Sequence, residues 1–168
     1  MKFSYDFKLS EHSGSSRVYV CGDITARIDF LSGSMMRVAL FRDDCKMLPT
    51  FTVDPQNEFL TEGRDKLSLD GFSLFAPQVN KTADGERFSL GNVEAELNTH
   101  NFVLSYKKDG KLLFADRAPL AYNFQNEFGN GTYHYLTREK GEKIYGLGDK
   151  GGSVNKAGRT FRIETSDS

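Results

Sequence analysis

Apolar and polar residues alternate with a period of two along most of this chain, the pattern of strands with one buried and one solvated face. Phe3, Tyr5, Phe7 and Leu9 alternate with Lys2, Ser4, Asp6 and Lys8. Ile24, Ala26, Ile28 and Phe30 alternate with Asp23, Thr25, Arg27 and Asp29. Val93, Ala95 and Leu97 alternate with Glu94 and Glu96, and a turn at Asn98-Thr99-His100-Asn101 leads into Phe102, Leu104 and Tyr106. Tyr133, Tyr135 and Thr137 make a further row. The Asp109-Gly110 pair predicts a hairpin between residues 101–106 and 111–115. Residues 67–69 and 72–74 flank Asp70-Gly71 and fit either a tight hairpin or one bulged strand. No window of a dozen residues holds a helical period. Residues 35–41 are apolar enough for a short helix, but strand-like runs flank them. Residues 43–57, with Pro49 and Pro55, read as a long connection. After Gly141 the chain is glycine-rich and then carries a last β-like run at 160–165. Many short strands separated by turn signals predict an all-β chain, an antiparallel β-sandwich. Residues 1–140 would form its core, and 141–168 a Gly-rich hairpin and loop segment.

Composition narrows the function classes. Across 168 residues, 22 basic side chains meet 23 acidic ones, for a net charge of −1. That balance lacks the basic excess that duplex binding and anionic membranes require, so neither nucleic acid nor membrane is an expected partner. Fourteen Phe and seven Tyr are enough aromatic surface to build a core. Cys21 and Cys45 do not make a disulfide framework and read as reduced thiols. The first residues carry no apolar leader, since Asp6 and Lys8 interrupt them, so a cytoplasmic location is expected.

Several motifs fail on their context. Gly146-Leu147-Gly148-Asp149-Lys150-Gly151 matches G-x-G-x-x-G, but the following residues are poor helix formers and too few remain to complete a βαβ unit. His12, His100 and His134 are scattered without metal-ligand spacing, so no metal and no cofactor is expected. Ser153 lacks a nucleophile-elbow context. Glu94 and Glu96 share a strand face, which reads as a solvated surface. Tyr122, Tyr133 and Tyr135 offer rings that a sugar face can lie against, although an alternating Tyr row more often packs in a sheet.

The tail is the most informative part. Glu142-Lys143-Ile144-Tyr145-Gly146-Leu147-Gly148-Asp149-Lys150, then Asn155-Lys156-Ala157-Gly158-Arg159, then Ile163-Glu164-Thr165-Ser166-Asp167 resembles glycoside hydrolase family 31, the α-glucosidase family. Its members carry an E-x-x-Y/F-G-L/F-G-E/D run, a short hairpin and a T-x-D or N-x-D element. Residues 26–40 and 93–110 resemble the family's upstream strands more loosely. The resemblance implies a galactose-mutarotase-like β-sandwich of the supersandwich type, followed by a (β/α)₈ barrel that holds the aspartate nucleophile and acid/base. Barrels of that kind take about 250 residues. This chain has no Trp for the W-x-D-M-N-type nucleophile motif, so it is expected to end where the barrel begins and to be inactive alone, with no catalytic residue of its own. One position carries over from the family: Asp167 matches the aspartate closing the T-x-D element, which contacts the substrate sugar in an orienting role.

The resemblance therefore implies a non-catalytic N-terminal domain of a retaining α-glucosidase that hydrolyses terminal α-linked glucose. Its partners would be the catalytic barrel of the same chain and an α-glucoside. Separated from the barrel, it is expected to expose an apolar patch and to self-associate. A free-standing carbohydrate-binding module is the alternative, and a structural or interaction domain using a sheet edge is a third.

Overall fold

The computed structural model describes residues 4–32, 35–51, 61–124, 132–148 and 151–162. Two compact units divide the chain, Met1–Thr137 and Arg138–Ser168. Among the described residues the regular elements are all strands, with no helix.

The first unit is an antiparallel sandwich. One sheet takes β1 (Lys8–His12), β2 (Ser16–Cys21), β3 (Ile24–Ser32) and β4 (Met35–Arg42) in sequence order. The other takes β5 (Gln78–Lys81), β6 (Gly85–Leu90), β7 (Val93–Asn98), β8 (Val103–Lys108) and β9 (Lys111–Ala115), again in order. A short pair, β10 (Tyr122–Asn123) and β11 (Tyr133–His134), makes a two-stranded sheet of its own. Residues 35–41 belong to β4 rather than to a helix. Met36, Val38 and Leu40 pair across from Phe30, Ile28 and Ala26, so the apolar run extends the inner face of β3 in register.

The hairpin predicted at Asp109-Gly110 joins β8 to β9. Both residues have positive φ, 49° and 75°, as a type I′ turn requires, and Asp-Gly tolerates that geometry. The choice left open for residues 67–74 resolves as neither hairpin nor bulged strand. These residues form turns, because their carbonyls are taken by arginine side chains instead of a neighbouring strand. Arg37 donates to Lys66 O at 2.7 Å and Leu67 O at 2.9 Å. Arg64 donates to Asp70 O at 3.0 Å and lies over the Phe72 ring.

The core is aromatic. Phe30 of β3 meets Phe88 of β6 across the sandwich with ring centroids 5.2 Å apart. Phe102 receives Phe7 at 5.1 Å and Tyr19 at 5.7 Å. Fully burying one such side chain contributes about 1.5–3 kcal/mol. Tyr5 and Phe7 are buried as the alternation predicts, whereas Leu9 is exposed.

Two acidic side chains are buried in this unit's strands. Glu86 points inward from β6 and holds Arg17 of β2 through both carboxylate oxygens, at 3.0 and 3.1 Å. It also accepts the Tyr19 hydroxyl. Asp29 lies on the outer face of β3, the face the alternation marks as polar, yet it is fully buried. Ser16 donates to it at 2.6 Å, Arg27 at 2.8 Å and Arg37 at 2.7 Å. Burial alone would raise the Asp29 pKa, but these donors outweigh it and hold the carboxyl below its ordinary value. Glu94 and Glu96 form the half-exposed face expected, with Arg87 lying 3.7 Å from Glu94 and 3.2 Å from Glu96.

Removing one partner of a buried ion pair leaves the other charge desolvated. Glu86→Ala should therefore destabilise the fold by about 3–5 kcal/mol, read as a lowered urea midpoint with an unchanged slope. Asp29 has a lowered folded-state pKa, so its contribution is present above the ordinary carboxylate range near about 3.9 and is lost as pH falls through the lower folded value. Urea midpoints measured from pH 7 down to pH 2 should show that acid loss in the native chain. Asp29→Asn should be weaker at neutral pH and lack this component.

Candidate functional site

The open flank of the sandwich lies between β4, at the end of one sheet, and β9, at the end of the other. A cleft of about 360 Å³ occupies it. β4 supplies one apolar wall through Met36, Val38 and Leu40, whose alternation directs them inward. Phe114 of β9 supplies a ring on the opposite side. Its one face stacks on Tyr106 of β8, with centroids 4.2 Å apart and planes at 26°, and the side chain remains 47% exposed.

The polar part of the cleft is Asp116 with His134. Asp116 follows β9 and is 4% exposed. Its Oδ2 accepts the Leu104 amide at 2.9 Å, and its Oδ1 lies 2.8 Å from His134 Nε2. The imidazole stacks on Tyr122 at 4.2 Å with planes only 6° apart. The ring is therefore fixed from its edge and from one face. Backbone pairing sets this arrangement. Asp116 bridges Leu136, Arg117 N donates to Tyr135 O at 2.9 Å, and Thr137 N donates to Ala115 O at 2.8 Å. Burial, with the nearby Asp116 charge, raises the Tyr106 and Tyr122 pKa values above the ordinary phenol range, so both rings stay neutral hydrogen-bonding groups.

Sequence reasoning did not find this pair. His134 read as one of three scattered histidines, and Asp116 belongs to no motif. The two are 18 residues apart, and only the pairing of residues 115–117 with 135–137 brings them together. Of the three tyrosines considered as sugar platforms, Tyr122 is half-buried against His134. Tyr133 and Tyr135 stack on each other at 6.3 Å, and Arg117 lies 4.0 Å over the Tyr135 ring. The three therefore do not form a single platform. His100 binds Asp6 at 2.6 Å, far along the chain from both. Among the described residues no three His, Cys, Asp or Glu side chains gather in a group that could hold a metal.

The second unit is built on its own short pairing. Lys156 N donates to Ile144 O at 2.7 Å, and Asn155 Oδ1 accepts the Ile144 and Ala157 amides, each at 3.1 Å. Gly146, Leu147 and Gly148 have positive φ of 114°, 68° and 62°. The chain turns there instead of opening a helix, which disposes of the dinucleotide motif. Residues 160–162 of the last β-like run are not in a strand. An apolar alternation needs a neighbouring strand to become a ladder, and Phe161 instead lies under the Lys156 ammonium at 5.4 Å. The remainder of that run, Asp149 and Asp167 all lie outside the described residues.

No curated protein matches the chain. Among solved structures, it is similar to a family 31 dextranase of Flavobacterium johnsoniae. Against a mutant complexed with isomaltotriose the identity is 20%, with 92% of this chain covered and a TM-score of 0.63. Against the enzyme complexed with glucose the identity is 21%, again over 92% of this chain, with a TM-score of 0.61. The chain spans 18% of the length of each of these structures. At this identity the likeness is one of fold. A family model described as the glycosyl hydrolase 31 N-terminal galactose mutarotase-like domain matches residues 25–168, and the chain belongs to that family, as the N-terminal domain of a glycoside hydrolase.

Proposed function

We propose that this domain serves a retaining α-glucosidase that hydrolyses terminal α-linked glucose. In this reading the domain is non-catalytic. It supports the catalytic barrel and lends a loop on which Asp167 meets the substrate sugar. The carrying observation is the family match over residues 25–168, which includes the whole tail in which the E-x-x-Y-G-L-G-D run and the T-x-D element occur. The small share of each dextranase chain that the domain fills supports placing the chemistry elsewhere in a longer protein. The isomaltotriose and glucose found with those dextranases support glucose as the sugar unit.

Retention implies two displacements at the anomeric carbon. A carboxylate attacks it as the leaving oxygen is protonated, and water then releases the glycosyl-enzyme ester. Asp167 takes no proton in either step. An ionised carboxylate accepts hydrogen bonds from sugar hydroxyls, and such contacts to a charged group contribute about 1.5–3 kcal/mol. They hold the ring where the displacement can occur.

Asp167→Asn in the full-length enzyme should lower kcat/KM on a 4-nitrophenyl α-glucoside by about tenfold or more, with an unchanged melting temperature. Unchanged kinetics would remove Asp167 from the sugar site. A full-length protein that releases no glucose from α-glucosides, but cleaves an internal linkage of dextran, would move the reading to a dextranase.

A further inference from the structure

The cleft beside β9 combines features that a purely structural flank does not need. An apolar molecule laid over such a floor would desolvate the acceptor sites a carboxylate still has free without offering them a donor. Here the floor is Asp116, almost fully buried, with two of its lone-pair sites committed, to the Leu104 amide and to His134. A carboxylate has about four such sites, so acceptor capacity remains. His134 is 42% exposed at its side chain, and its Nδ1 has no partner among the described residues. Phe114 lines the same cleft, stacked on Tyr106 and still nearly half exposed.

The ligand that matches this set is a pyranose. It has an apolar C–H face that lies against an aromatic ring and a rim of hydroxyls that both donate and accept. An anion would meet the Asp116 charge, and an apolar molecule would strand it. The volume lies at the small end of ligand sites and suits a short saccharide. The groups are also pre-set. Asp116 and Tyr122 fix the imidazole, and Tyr106 fixes the phenyl ring, so little side-chain freedom remains to be lost on binding.

We infer that this cleft is a saccharide subsite, in which Phe114 carries the apolar face of a glucose unit of an α-glucan while His134 and Asp116 bond its hydroxyls. The identity of the sugar as glucose rests on the function proposed above. The cleft and its chemistry do not.

The test uses the full-length enzyme and isomaltotriose as probe. Amide hydrogen–deuterium exchange is followed by mass spectrometry with and without millimolar sugar. Added isomaltotriose should slow exchange in peptides covering residues 112–117 and 132–135. Phe114→Ala and His134→Ala should each abolish that protection while leaving the melting temperature within a few degrees. In the same variants KM for a long α-glucan should rise about fivefold, with kcat and the KM for a 4-nitrophenyl α-glucoside unchanged. No protection of these peptides in the native enzyme overturns the inference. So does an equal loss on the long and the short substrate, which would mark a structural role only. An enzyme that turns over no α-glucoside sinks the proposed function instead, and the exchange measurement then still decides the cleft.

Discussion

The contact on which this fold depends is the carboxylate of Glu86 inside the sandwich. It projects from β6 toward β2 and is shared by the Arg17 guanidinium and the Tyr19 hydroxyl. Burying a charge there is tolerable only because all three groups meet in one geometry. That requirement constrains the stacking of the two sheets more tightly than apolar contact does, since apolar contact is non-directional. One row further along β6, Phe88 receives Phe30 from the facing sheet, and the Arg17 guanidinium lies 5.8 Å from the same ring. Polar clamp and aromatic core are thus neighbours that position one another.

The same device recurs where the chain is irregular. Asp29 gathers Arg27 and Arg37, and Arg37 in turn gathers the carbonyls of residues 66–68. A connection with no strand partner is thereby fixed to the outer face of a sheet. Asp116 does the equivalent on the opposite sheet, with one oxygen on the β8 backbone and one on His134. Asn101 links the N-terminal segment to the stretch after β9. It accepts the Tyr5 amide at 2.8 Å and donates to Pro119 O at 2.8 Å. Long loops carry backbone groups that sheets leave unpaired, and each buried carboxylate or amide side chain satisfies several at once.

The strands were legible in the sequence wherever one face was apolar and the turn carried its own chemistry. Residues 93–97 and Asp109-Gly110 are the clearest cases, because pleat and turn are local properties. Residues 160–162 show the limit. They open a run whose alternation is as regular as that of β7, yet they are not in a strand, since a ladder also depends on a neighbouring strand, which alternation does not encode. Asp29 shows a second limit. The pattern places it correctly on the polar face, but whether a polar face is wet depends on what crosses it, here arginines and a loop from more than thirty residues downstream. The cleft was not legible for the same reason. Asp116 and His134 meet through pairing between distant segments, and neither residue stands out in its own neighbourhood. The tail behaved differently. Its glycines and charged residues are spaced in a family-specific way, so it disclosed kinship without disclosing geometry.

Asp116 ties the cleft to the core, and this decides which residues can report on it. Its Oδ2 holds the amide of Leu104, itself buried in β8, so any change at Asp116 disturbs the sheet as well as the cleft. A deleted acceptor would leave that amide unpaired at a cost of about 1–3 kcal/mol, and lost binding could not be separated from lost structure. Phe114 is the opposite case. It sits in an edge strand with nearly half its surface open, and it supports the fold chiefly through the ring beneath it. The register shift between β8 and β9 leaves Leu113 without an opposite partner, so Leu112, Leu113 and Phe114 are all exposed in succession. A bulge of this kind re-aims side chains and discourages pairing by a further strand. The edge is thereby kept from becoming an extension of the sheet, and Phe114, stacked on Tyr106, lines the cleft together with the β4 side chains.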